Sequence, residues 1–189
     1  MAAVVAPLLT CVGARSSSAA RASTASAGDT NDACAGASLR PRAGDLAAVD
    51  AATLCLVNRL RRSHGLGALR ANRELAQAAA GKASGMVRAD YFADVGPSGR
   101  TAMSLVAATG YRARAARVAV GQNLAWGTGS EATPARIVAQ WLASPPHRRV
   151  MLSGEYRDAG VGVIAASPAV VHAGGRGATY VLELAARRR

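Results

Sequence analysis

This chain has few aromatic side chains to build with. Its 189 residues include one Phe, two Trp and four Tyr. A core must therefore come mainly from Ala, Val and Leu. Lysine is nearly missing as well. Lys82 is the only one among the 23 basic residues, and the rest are Arg. No apolar run approaches the roughly 20 residues that a membrane-spanning helix needs, so no transmembrane segment is expected in the mature protein. There is no G-x-S-x-G elbow to strain a serine into a nucleophile. There is also no RNP motif, no zinc finger and no Arg-rich helix interleaved with aromatics. Nucleic acid is therefore a poor partner despite a formal charge of +12. That charge favours anionic partners such as cell-envelope components. No internal repeat is evident.

Cysteine is scarce but positioned. Residues 1–14 are apolar and small, and a Ser/Ala/Arg stretch follows to about Ala27. This reads as a secretion leader over 1–27 with Ala25-Ser26-Ala27 as an A-x-A cleavage site, although a basic n-region is lacking. Loss of the leader removes Cys11 and leaves an even pair. Export and parity then favour a Cys34–Cys55 disulfide over two unrelated buried thiols. Such a bridge closes a loop of about 20 residues and contributes roughly 3 kcal/mol. The expected destination is extracellular or cell-envelope associated.

Residues 28–44 lack apolar periodicity and read as a linker arm, with order beginning near Asp45 as an N-cap. A domain over 45–189 follows, with a short basic tail and the size of one monomeric unit. Leu46, Val49, Thr53, Leu56 and Leu60 recur at helical spacing and Gly65 closes the helix. Asn72 caps a second helix, in which Gly81 and Gly85 each cost roughly 1 kcal/mol relative to Ala. Thr101 to Thr109 form a third helix ended by Gly110, and Val118 to Ala125 a strand. Thr133 caps and Pro134 opens the helix carrying Trp141. Two strands near 159–165 and 178–185 follow, joined most simply as a hairpin.

Ser144-Pro145-Pro146-His147 is the densest signal. Two prolines lack backbone N–H groups and push the residues before them out of the α region. The Trp141 helix must stop near Ser144, which leaves His147 at the start of the next turn. Taken alone, His147 is a capping histidine or a cleft group. His64 fits a helix C-terminus and His172 an exposed loop.

The ordered motifs carry a resemblance. Gly121-Gln122-Asn123-Leu124-Ala125-Trp126-Gly127, then the Trp141 helix, then Ser144 to Arg148, then Asp158-Ala159-Gly160-Val161-Gly162-Val163 run in sequence. Upstream, Leu56 to Arg61 with Gly65-Leu66, and Tyr91 to Asp94 with Pro97-Ser98-Gly99, complete the set. Together they resemble the CAP superfamily (cysteine-rich secretory proteins, antigen 5 and pathogenesis-related proteins) in its bacterial SCP-like branch, over roughly residues 45 to 186. The resemblance implies an α+β chain folded as an α-β-α sandwich with a short antiparallel sheet. It also implies a cleft that in some members carries two histidines and two acids and binds zinc.

On this sequence the first histidine of that cleft falls on Asp94, its acid on Gln122 and its second histidine on His147. Asp94 and His147 are too few for zinc, which takes three or four ligands, and the Gln122 amide is a poor one. No metal and no cofactor are therefore expected. Asp94, Gln122, Asn123 and His147 are the candidate cleft residues. Asp94 and His147 are the catalytic candidates, since a carboxylate–imidazole pair can move protons. Gln122 and Asn123 read equally as cleft lining and as a brace between the strand and the 145–152 turn. Ser98, Ser104 and Ser144 sit in no strained turn. The expected function is a non-enzymatic extracellular binding module for a lipid, a small apolar molecule or an envelope component. The alternative is a secreted hydrolase or peptidase using His147 and Asp94.

Overall fold

The computed structural model describes residues 34–113, 115–171 and 177–188. The expected leader over 1–27, Cys11 and His172 lie outside the described residues. Among the described residues, five helices and four strands follow one another as α1 (Leu46–Ser63), β1 (Arg70–Ala71), α2 (Arg73–Arg88), α3 (Ala102–Ala108), β2 (Arg117–Gly127), α4 (Pro134–Ala143), α5 (Pro145–Met151), β3 (Asp158–Ile164) and β4 (Ala178–Arg188). A short 3₁₀ turn at Gly129–Ala132 precedes α4.

The sheet order is β1-β3-β4-β2. β4 runs antiparallel to both neighbours, and the two-residue β1 lies parallel to β3. The alternation of β4 shows the layers. Tyr180, Leu182 and Leu184 join Val49 and Val57 of α1 and Ile137 and Trp141 of α4 in one cluster. Val181 and Ala185 point the other way and meet α2 and α3 through Leu75, Ala79, Met86 and Leu105. The architecture is therefore the expected α-β-α sandwich. β3 and β4 pair as the expected hairpin.

Local chemistry explains the boundaries. Asn72 accepts from the Leu75 N–H at 3.0 Å, and Thr101 and Ser104 form a reciprocal capping box. Gly65 and Gly110 take positive φ, as helix exits require. Glycine has a second use in β3. A Cβ at Gly160 would lie 2.0 Å from the Ala76 nitrogen, and one at Gly162 would lie 2.2 Å from the Ala80 nitrogen. Helix α2 therefore rests its backbone directly on the β3 glycines.

Three sequence expectations are corrected. Order begins well before Asp45: Cys34 and Ala37 are buried, and the Ala135 N–H donates to the Ala37 carbonyl at 2.9 Å. Cys34 and Cys55 form a disulfide that seats this arm on α1. Asp45 and Thr133 make no side-chain cap bond; the Thr133 hydroxyl donates instead to the Ser130 carbonyl. Finally, Pro145–Pro146 ends one helix and starts another. Ser144 is extended between them, and a proline at the first turn suits a helix start because its missing N–H would have had no partner there. His147 is thus the third residue of α5 and not part of a loose turn.

Candidate functional site

β2 is an edge strand, and its alternation divides the candidate residues between two faces. Gln122 shares the α2 face with Leu124, which packs on Ala79, Ala83 and Met86. Asn123 shares the opposite face with Ala125, which packs with α4. Asn123 is buried, and its Nδ2 donates to the His147 carbonyl at 3.0 Å. That bond ties α5 to the sheet edge. Trp141 makes a parallel tie, with Nε1 donating to the Leu124 carbonyl at 2.9 Å.

On the α2 face Gln122 stands opposite Glu183 of β4 in the ladder, and Gln122 Nε2 donates to Glu183 Oε1. Glu183 is fully buried. Burial pushes its carboxyl up to about 7, against the Gln122 hydrogen bond and the nearby Lys82 charge, which pull it down. Glu183 Oε2 and Gln122 Oε1 have no hydrogen-bond partner.

Lys82 is only 2% exposed. Its Nζ donates to the carbonyls of Ala93 and Asp94, both at 2.7 Å, and lies 5.1 Å from the centroid of the Tyr91 ring. Burial lowers its pKa, while Asp94 and Glu183 hold the charge on. The chain's only lysine thus fixes the 91–94 segment to α2. Asp94 itself is exposed, and no hydrogen bond or ion pair joins it to His147 among the described residues.

A cleft of about 250 Å³ opens at the β2 edge. Phe92, Trp126, Trp141 and His147 form its walls, with Gln140 and Ser144 adding polar atoms. Of the four candidate cleft residues, His147 alone lines it. Asp94 and Gln122 belong to the Lys82–Glu183 group, and Asn123 braces α5. The sequence reading missed Lys82 and Glu183. The signals were a solitary lysine in an Ala-rich helix and a lone acid in the apolar run Val181-Leu182-Glu183-Leu184.

Zinc does not fit this donor set. Among the described residues no three His, Cys, Asp or Glu side chains gather as ligands. An ammonium lies beside the buried Glu183 carboxyl, and the His147 imidazole stands at a separate cleft.

The family model for CAP, the cysteine-rich secretory protein family, matches residues 54–176, more than half of the chain. The chain belongs to the CAP family. None of the curated proteins matches it. Among solved structures, this CAP domain is similar to an extracellular protein containing a SCP domain from Bacillus anthracis str. Ames. The identity is 20%, the TM-score 0.61, and the match covers 79% of this chain and 45% of that one. It is also similar to an outer surface protein from Borrelia burgdorferi, with 17% identity, a TM-score of 0.57 and coverage of 71% and 90%. A cysteine-rich secretory protein from Staphylococcus aureus matches at 15% identity and a TM-score of 0.52, covering 76% and 40%. The CAP domain thus spans less than half the length of two of these three. At such identities the likeness speaks for the fold alone.

Proposed function

We propose that this chain is an exported CAP-domain binding module that holds a small apolar molecule in the cleft between Phe92, Trp126 and Trp141. The observation that carries the proposal is the division of labour around β2. Asn123 braces α5 and Gln122 bonds Glu183, so neither lines the cleft, and His147 stands in it without Asp94 beside it. The cleft is lined by Phe92, Leu124, Trp126 and the edge of the buried Trp141, with His147, Gln140 and Ser144 as its polar part. Such walls favour an apolar guest with a few polar atoms to orient it. The disulfide and the descriptions of the similar proteins as extracellular or outer-surface support export. So does the leader-like residue pattern over 1–27.

The hydrolase reading needs Asp94 to orient and charge His147, and that contact is lacking among the described residues. Both tryptophans of the chain line the cleft. Intrinsic tryptophan emission therefore reports on this site. Titration with 1-hexanol as a probe should shift it saturably. A Phe92→Ala variant should lose the shift, and His147→Ala should retain most of it. Emission unchanged by the probe would count against the proposal.

A further inference from the structure

We propose a second site, distinct from the aromatic cleft, in which the groove between α2 and α3 takes a small anionic amphiphile with its oxyanion between Arg88 and Arg100. Two cavities of about 270 and 310 Å³ lie along α2. They share Gly81, Arg88, Arg100 and Leu105, so they form one groove with the two arginines at its waist. It shares no lining residue with the aromatic cleft.

The charge is of one sign. No acidic residue lines either cavity, and Lys82 stands at the Tyr91 end. Surface arginine is common in this chain, so location must decide. Arg70, Arg73, Arg136 and Arg188 each meet a carboxylate. The Arg88 and Arg100 side chains make no hydrogen bond or ion pair among the described residues. Guanidinium groups match carboxylate and phosphate oxygens in a two-pronged geometry.

The groove floor gives an independent argument. Gly81 and Gly85 lie inside a 16-residue helix, where each glycine costs roughly 1 kcal/mol relative to Ala. Packing does not require them. A Cβ at Gly81 would meet nothing within 4 Å, and one at Gly85 would meet only the Tyr91 hydroxyl at 3.6 Å, an ordinary contact. Gly160 and Gly162 in β3 are the opposite case. The α2 glycines keep open a space that the fold has no need to keep open. Leu105 and Ala108 of α3 supply an apolar wall along it for a short tail.

Isothermal titration calorimetry of the purified protein with octyl phosphate and with octanoate tests this, with octylamine and inorganic phosphate as controls. At least one anionic amphiphile should bind saturably, and the tighter of the two identifies the headgroup. An Arg88→Ala/Arg100→Ala variant should bind about tenfold more weakly or worse. Gly81→Leu should abolish binding while its melting temperature stays at or above that of the parent. Octylamine should not bind, and tryptophan emission should not follow the titration. Absence of saturable binding by both anions would overturn the proposal. Equal binding of octylamine, or of inorganic phosphate, would do the same. So would an unchanged affinity in the double-arginine variant, or a tryptophan shift that follows occupancy and so places the amphiphile in the aromatic cleft.

Discussion

Gln122 and Glu183 face each other across the β2–β4 ladder, and the half-buried Gln122 amide donates to the fully buried Glu183 carboxyl. By motif resemblance the family's cleft acid would fall on Gln122; the buried acid of this chain, Glu183, stands one strand over, near Lys82. The open cleft keeps His147 and its aromatic walls.

Stability should fall as pH rises through neutrality. The Glu183 carboxyl is raised from 4.5 to about 7 and that of Asp50 from 3.8 to about 7, in both cases by burial. Between the ordinary and the raised values the folded protein holds more protons than the unfolded chain. The slope of stability with pH is therefore negative. The contribution is fully present below the ordinary values and is lost as pH passes about 7. Urea unfolding at about pH 5 and about pH 8 should show this loss, and Glu183→Gln should reduce it.

Lys82→Met should destabilise the fold by about 2–4 kcal/mol, because it leaves the Ala93 and Asp94 carbonyls unpaired and the Glu183 carboxyl without its cation. Denaturant unfolding gives the magnitude. Limited proteolysis should show new cleavage near residues 91–95.

Gly162→Ala should cost about 3 kcal/mol or more, since its Cβ would meet α2 backbone and no flexible side chain could yield. Gly81→Ala in the same helix–sheet unit should raise stability by roughly 1 kcal/mol. Thermal melts of the two variants should move in opposite directions.

Replacing Cys34 and Cys55 by serine should lower stability by about 3 kcal/mol for a loop of this length. Seating of the arm on α4 through the Ala37–Ala135 bond should loosen with it. Hydrogen exchange at the Ala135 amide is the check.

Much of the fold was legible because its signals are local. Asn72, Gly65, Gly110 and Pro134 act within a turn of their own positions, and the CAP motifs fix their order. The two-residue β1 was not legible, because no periodicity exists over so short a span. The double proline signals a stop, although the same missing N–H groups also favour a start. The site was only half legible. His147 could be named from its motif, but Lys82 and Glu183 meet only after α2 docks on the sheet and β4 takes its register. The opposite roles of Gln122 and Asn123 follow from strand alternation, which a motif match does not reveal.

The central claim is that the Phe92–Trp126–Trp141 cleft binds and does not catalyse. Tryptophan emission during titration with 1-hexanol addresses it directly, because both tryptophans line that cleft. The account predicts a saturable shift that survives His147→Ala and Asp94→Asn and disappears in Phe92→Ala. An unresponsive emission, together with a hydrolytic turnover lost in His147→Ala, would contradict it.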